Sequence, residues 1–287
     1  MRLRSLCRQG RAGRLRLTDP AMFSLFAPKL PIDSDELEWQ LATFKWLAAE
    51  FGPAGEAPLV LPTAEFFPPS PRKGPGRVED LFASVKSAAG MADWPCELRA
   101  GAGDRPAHVG TGLLLRHEGA SPPCGTFTID DGGGGQTVVI TYNPSLAEDI
   151  DSLVATFAHE LGHYLMSTAG TAPPGGWALH ELHTDLAAVH LGFGIFLANS
   201  ARSFGQYQSG GEMGWSSRTQ GYLSEGALVT ATAIFQRLAA RDPMEAAPWL
   251  KDYLRLDLKK AAKALDRLHP DMEASVAAVD LGDFAGD

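Results

Sequence analysis

The sequence is poor in cysteine, lacks a long apolar segment and carries no excess of basic residues. Three cysteines among 287 residues, Cys7, Cys96 and Cys124, are too few and too scattered for a disulfide framework or a cysteine-based zinc site. This scarcity suits a reducing, cytoplasmic compartment. No run approaches the roughly 20 apolar residues that span a bilayer, which excludes an integral membrane protein. A net charge of -9 and a pI near 5.4 argue against nucleic-acid binding, because phosphate recognition needs a basic surface.

Residues 1–21 differ in composition from the rest of the chain. They carry six arginines and one acidic residue, Asp19, and show no apolar periodicity. Three interpretations stay open: a disordered basic arm, a weak targeting sequence, or an early start codon with Met22 as the true start. We expect this segment to be a disordered or non-native basic extension that is dispensable for the fold.

The remaining sequence predicts an α+β fold that is mostly helical, with a small antiparallel or mixed sheet. Apolar residues at helical spacing predict helices at about 34–51, 77–89, 151–166, 177–201, 222–240 and 246–268. Segments rich in Thr, Val and Ile predict strands at 108–116, 125–129 and 137–142, with a loose hairpin turn at the glycine run 132–135. We expect residues 22–100 to form an N-terminal helical and loop subdomain, packed on a metal-binding domain of residues 101–287.

The motif with chemical content is His159-Glu160-Leu161-Gly162-His163, in the helix predicted at 151–166. Residues four apart share a helix face, so both imidazoles can point toward one ion. Zinc binds such nitrogens at about 2.0–2.1 Å. Glu160 lies one step round the helix, close enough to take a proton from a zinc-activated water without filling a coordination position. The apolar neighbours of the motif predict a buried helix, in which these polar side chains need partners.

A third ligand is expected from the next predicted helix, which contains His180-Glu181-Leu182-His183-Thr184-Asp185. Glu181 and Asp185 are four apart and therefore share a face. Glu181 would complete two nitrogens and one oxygen and leave a fourth position open, as a catalytic zinc requires. Asp185 could accept a hydrogen bond from the second ring nitrogen of a ligand histidine. The spacing leaves three alternatives for the third ligand: Asp185, His180 and His183.

The pairing of His159-Glu160-x-x-His163 with Glu181-x-x-x-Asp185 resembles the gluzincin group of zinc metallopeptidases, the thermolysin-like arrangement. The resemblance covers about residues 125–200. It implies that the two histidines and Glu181 bind zinc, that Glu160 is the general base, and that Asp185 supports a ligand from outside the coordination sphere. It also implies a zincin-like core with an edge strand beside the zinc helix, a place that residues 137–142 suit. The segment 192–199 resembles uncharacterised bacterial proteins with a His-Glu-Leu-x-His helix, which suggests no substrate.

These residues and the resemblance predict a zinc-dependent hydrolase, and more specifically a metallopeptidase. We expect Zn²⁺ as cofactor and a peptide or protein substrate, with neither nucleic acid nor a membrane as partner. The substrate strand would pair with the edge of the small sheet. Three residues are candidates for stabilising the oxyanion: His190, Tyr207 and Tyr222. The alternative is a non-catalytic, zincin-derived binding or regulatory module that retains zinc, in which the fourth metal position is sealed.

Overall fold

The computed structural model describes residues 29–101, 107–109, 113–115, 124–130, 137–208 and 222–284. Within these ranges helices dominate and strands are few and short, so the α+β class is confirmed. No described helix is long and apolar enough to cross a membrane. The basic extension at 1–21 and the glycine run at 132–135 lie outside the described residues, and the expectations about them stay predictions.

The described helices are mostly those that the apolar spacing predicts. They are α1 (Ser34–Phe51), α2 (Pro75–Ala88), α3 (Ile150–Met166), α4 (His180–His190), α5 (Gly194–Gln208), α6 (Glu225–Leu238), α7 (Asp252–Leu268) and α8 (Met272–Ala277). The strands are β1 (Glu97–Ala100), β2 (Ala107–Val109), β3 (Leu113–Leu115), β4 (Gly125–Asp130) and β5 (Thr137–Tyr142). Short 3₁₀ segments, Trp177–Leu179 and Pro243–Trp249, precede α4 and α7.

Aspartate side chains cap the starts of several helices, among them α1 and α3. Asp33 accepts the backbone N–H of Glu36 at 2.9 Å at the start of α1. Asp149 accepts the backbone N–H of Ser152 at 3.1 Å at the start of α3. Each cap satisfies a donor that helix geometry leaves without an intrahelical acceptor. The cap at Asp149 therefore sets where the motif helix begins.

A three-stranded mixed sheet lies beside α3. Its central strand is β5, which pairs parallel with β1 and antiparallel with β4. The expectation that residues 137–142 form the edge is therefore wrong, because an unpredicted strand, β1, covers their other side. Only four residues long and mostly exposed, β1 has no apolar face that would reveal it. The single strand predicted at 108–116 is also wrong: β2 and β3 are separate and pair with each other, and Gly110 and Gly112 between them disfavour a continuous strand.

The helix predicted at 177–201 is two helices, because the chain breaks at Gly192. This residue has φ +97°, a left-handed conformation that glycine adopts without strain. The backbone N–H groups of Gly192 and Phe193 bond to the carbonyl oxygens of Val189 and Ala188, which is the Schellman pattern of a helix end. A Cβ atom at 192 would lie 2.0 Å from the carbonyl oxygen of Pro58, so the position also requires the smallest residue.

One buried apolar cluster runs through the described residues. Nearly all of α3 is buried at its centre, where the helix packs against α2, α4, α5, β4 and β5. Trp39, Phe44 and Trp46 of α1 are buried in the same cluster. Burial of each such side chain contributes about 1.5–3 kcal/mol. Residues before and after position 100 thus share a core, and their division into two structural units stays a prediction.

Candidate metal centre

Helix α3 carries the His-Glu-x-x-His motif in the interior of the molecule. His159, Glu160 and His163 are 5%, 5% and 8% exposed. The apolar side chains of Phe157 and Leu161, on the same helix, are fully buried. The three polar side chains therefore have little access to water, and they must pair with protein groups or with an ion.

Helices α3 and α4 approach closely at Gly162, inside the motif. A Cβ atom at this position would lie 2.9 Å from the carbonyl oxygen of Thr184 and 3.1 Å from its methyl group. These distances are shorter than ordinary van der Waals contacts, so a side chain at 162 would push the two helices apart. The glycine lets α4 place its polar side chains beside those of His159 and His163.

The three predicted ligands meet between the two helices. The Nε2 atom of His159 lies 3.1 Å from Oε2 of Glu181, and the Nε2 atom of His163 lies 3.5 Å from the same oxygen. The ligand atoms of the three residues all lie within 4.8 Å of one another. Two imidazole nitrogens and a carboxylate oxygen form a donor set that zinc accepts. Glu181 is the most accessible of the three, with 27% of its side chain exposed.

Asp185 lies on the Nδ1 side of the His159 ring. Its Oδ1 atom accepts the Nδ1–H of His159 at 3.0 Å, and its Oδ2 atom accepts the backbone N–H of Leu223 at 2.8 Å. The first bond holds a proton on Nδ1 and so directs Nε2 toward Glu181. The structure therefore places Asp185 beside a candidate ligand histidine and outside the group of three candidate ligand residues.

Thr184 contacts the Nδ1 atom of His163, as Asp185 contacts the Nδ1 atom of His159, and the sequence pattern does not predict this contact. The Thr184 hydroxyl donates to the backbone carbonyl of His180 at 2.8 Å, and its oxygen accepts the Nδ1–H of His163 at 3.2 Å. This contact leaves the Nε2 lone pair of His163 directed toward Glu181. A helical threonine that bonds to the carbonyl four residues earlier is a common pattern. The sequence therefore carried no distinct signal for the second contact.

The two histidines that flank Glu181 in sequence have other partners. His183 is fully buried and donates from Nε2 to the carbonyl oxygen of Pro174 at 2.9 Å. His180 donates from Nε2 to Oε1 of Glu181 at 2.9 Å. Neither histidine belongs to the group of ligand atoms found among the described residues. Of the alternatives for the third ligand, the geometry favours Glu181.

The electrostatics of the group favour positive charge between the two helices. Burial lowers the pKa of His159, but its hydrogen bonds with Asp185 and Glu181 outweigh burial and hold the pKa well above its usual value. Burial raises the pKa of Glu181, but the charge of His163 and the hydrogen bonds from the neighbouring histidines hold it well below its usual value. The same arrangement that stabilises a proton here would stabilise a metal ion.

The carboxylate of Glu160 lies against strand β4. Its Oε1 atom is 2.9 Å from the position that a Cβ atom of Gly125 would occupy. Its Oε2 atom has no hydrogen-bond partner among the described residues, and burial raises the pKa of the carboxyl group. An unpaired buried oxygen costs about 1–3 kcal/mol or more. A bound water or substrate could offset this cost by donating a hydrogen bond to Oε2.

Two of the three oxyanion candidates fall within the described side chains. His190 donates from Nε2 to the carbonyl oxygen of Gly52 at 3.0 Å and packs against the ring of Phe44, which gives it a structural role. The ring of Tyr222 lies beside that of His159, with centroids 5.1 Å apart, so Tyr222 remains a candidate. The side chain of Tyr207 lies outside the described residues.

Comparison with known proteins identifies no family for the chain. No protein-family model matches the chain, and no significant match was found among curated proteins or among solved structures. The resemblance to gluzincins therefore rests on the motif residues and on their arrangement.

Proposed function

We propose that the protein is a zinc-dependent hydrolase, and more specifically a metallopeptidase with a zincin-like core. The observation that carries the proposal is the convergence of His159, His163 and Glu181 within 4.8 Å of one another, beside the buried carboxylate of Glu160. The first three residues would hold the ion. When bound, zinc supplies a Lewis acid that acidifies water and polarises a carbonyl group.

Glu160 is the general base in this proposal. It follows His159 directly in the motif but is not among the three ligand atoms, and its Oε2 atom lacks a partner among the described residues. It therefore has the capacity to take a proton from the attacking water and return it to the leaving amine. Asp185 and Thr184 keep the two ligand imidazoles in the tautomer that presents Nε2.

Strand β4 is the proposed site of substrate pairing. It is one of the two edge strands of the three-stranded sheet in the described part of the chain, with β1 at the other edge and β5 between them. Residues of β2 lie close to β4 but are not paired with it. The ring of Phe127 in β4 stacks on that of His163 with centroids 6.3 Å apart, and Gly125 lies beside Glu160, so the strand runs along the candidate centre. An extended peptide that pairs with β4 would carry its carbonyl groups past Glu160.

Replacement of Glu160 tests the proposal. Wild type and Glu160→Gln are stripped with a chelator, reloaded with zinc, and incubated with an unstructured peptide mixture that is followed by mass spectrometry. Both proteins should hold about one zinc, because Glu160 is not a ligand. Cleavage by the variant should be about 10²–10⁴-fold slower, because the proton acceptor is lost.

Two outcomes would contradict the proposal. Equal cleavage by both proteins would remove Glu160 from the mechanism. Full zinc occupancy without cleavage by the wild type would instead favour the non-catalytic module. As a control for metal dependence, the chelator-treated wild type should be inactive until zinc is returned.

A further inference from the structure

The two oxygens of the Glu181 carboxylate have different partners. Oε2 faces the Nε2 atoms of His159 and His163, at 3.1 and 3.5 Å. Oε1 instead accepts a hydrogen bond from Nε2 of His180 at 2.9 Å. The carboxylate is thus divided between the candidate metal position and a neighbouring histidine.

His180 is held in place for this contact. It is the first residue of α4 and is 8% exposed, and its ring lies 5.9 Å from that of His163. Its backbone carbonyl accepts the hydroxyl of Thr184 at 2.8 Å, the same hydroxyl whose oxygen accepts Nδ1–H of His163. Each ligand therefore has its own partner on α4. Asp185 is hydrogen-bonded to His159, Thr184 to His163 and His180 to Glu181.

The division of the carboxylate decides how many positions Glu181 fills on a metal. Carboxylates bind cations through one oxygen or through both. A donor on Oε1 competes for the electron pairs that this oxygen would offer to the ion, which leaves Oε2 as the ligand. Two imidazoles and one oxygen then fill three positions of a tetrahedral ion and leave the fourth for water or substrate.

We propose that His180 is a positioning residue that restricts Glu181 to single-oxygen coordination and so keeps the fourth metal position open. This proposal rests on the proposed function, because it requires His159, His163 and Glu181 to bind a metal. It does not require the bound metal to be catalytically active.

Cobalt(II) in place of zinc tests the role of His180, because its visible absorption is stronger in four-coordinate than in five-coordinate sites. Wild type is compared with two variants of His180: His180→Phe keeps a ring but has no donor, and His180→Gln restores an N–H. His183→Gln is the matched control, since His183 is buried on the same helix but bonds to Pro174. Circular dichroism verifies that each variant is folded.

We expect His180→Phe to lower the visible absorption per bound cobalt, because Oε1 joins the coordination sphere and raises the coordination number. Its affinity for the metal should weaken about 10-fold, within the range for partners of metal ligands. The His180→Gln and His183→Gln proteins should keep the wild-type spectrum. A wild-type spectrum in folded His180→Phe overturns the proposal, and so does a His180→Gln spectrum that matches the Phe variant.

A second measurement covers the case in which the Phe variant does not fold. In a crystal structure of the wild-type zinc complex, Oε2 of Glu181 should bind the ion while Oε1 stays on His180. Both oxygens on the ion would overturn the proposal. Failure of the wild type to bind cobalt or zinc would overturn the metal site and the proposed function with it. Metal binding with the expected spectra but without hydrolysis would overturn the proposed function alone.

Discussion

Helix α4 carries buried histidines on two faces, and the two faces have different partners. Toward α3, His180 meets the carboxylate of Glu181, whose other oxygen meets His159. Toward α1, His183 packs against the ring of Trp39 with centroids 5.1 Å apart, and His190 packs against Phe44. His183 and His190 donate to backbone carbonyls rather than to carboxylates.

The pKa of His183 and of His190, which face α1, is shifted in the opposite direction to the pKa of His159, which faces α4 from α3. Burial lowers the pKa of His183 and of His190 to about 4, and a hydrogen bond to a neutral carbonyl only partly opposes burial. His159 is equally buried, yet the carboxylates of Asp185 and Glu181 hold its pKa well above the usual value. Burial alone therefore does not distinguish a candidate ligand histidine such as His159 from a structural one such as His183. The charge of its partner does.

The largest expected effect comes from the carboxylate that faces α3. Glu181→Gln should weaken zinc binding about 100-fold or more, because a neutral amide is a poor ligand for the ion. His183→Gln, two positions along on the other face, is the matched control and should leave zinc affinity unchanged. Competition with a chromophoric chelator measures both. If the His183 variant lost zinc while the Glu181 variant kept it, the third ligand would be a histidine. The proposed difference between the two faces of α4 would then be wrong.

Asp185→Asn should have an intermediate effect on zinc. Asp185 accepts two N–H groups, one from His159 and one from Leu223, whereas an amide offers a single acceptor oxygen. One of the two donors would lose its acceptor, and the charge beside His159 would disappear. We expect zinc affinity to fall about 10–100-fold, less than for Glu181→Gln. A loss as large as that of Glu181→Gln in the same chelator competition would indicate that Asp185 is itself a ligand.

The smallest expected effect is the pH response of the face toward α1. The folded state keeps His190 neutral because its pKa is lowered to about 4, while the unfolded chain takes up a proton near pH 6.5. The unfolded state thus binds more protons between these values, and the stability that this difference provides is lost as pH falls from about 6.5 toward 4. The loss between pH 7 and pH 5.5 should be about 1 kcal/mol.

His190→Gln isolates this contribution, because glutamine can still donate to Gly52 but does not titrate. Chemical unfolding at pH 7 and at pH 5.5 should show a smaller acid-dependent loss of stability for the variant than for the wild type. The comparison is made within each protein, so a constant cost of the substitution cancels. An unchanged loss would mean that His190 does not contribute to acid sensitivity.

The sequence predicts which side chains come together in the candidate site better than it predicts how the two helices are oriented. The spacing of His159, Glu160 and His163 on an apolar helix was enough to identify candidate ligands and a base, because helix periodicity is local. The choice between Glu181 and its neighbours depends on which face of α4 meets α3. That is set by the close contact at Gly162, a tertiary feature with no periodic signature.

The same limit explains the errors in the fold. Apolar residues continue from α4 into α5, so the pattern concealed the break at Gly192, which depends on contact with Pro58. Strand β1 exists because it pairs with β5, and its own residues are mostly exposed. Thr184 meets His163 only when α3 lies beside α4. Each of these features arises from a neighbour distant in the chain, which periodicity within one segment does not report.

The carbonyl oxygen of Pro174 has a consequence for how the chain folds. It accepts both the indole N–H of Trp39 at 3.1 Å and the imidazole N–H of His183 at 2.9 Å. Trp39 and Pro174 are 135 positions apart, so α1 leaves the ribosome long before its partners are synthesised. The junction of Trp39, Pro174 and His183 can therefore be completed only after residue 183 has been synthesised. Because Trp39 is buried at that junction, its fluorescence in a variant that keeps only this one of the six tryptophans should report when the junction forms during refolding.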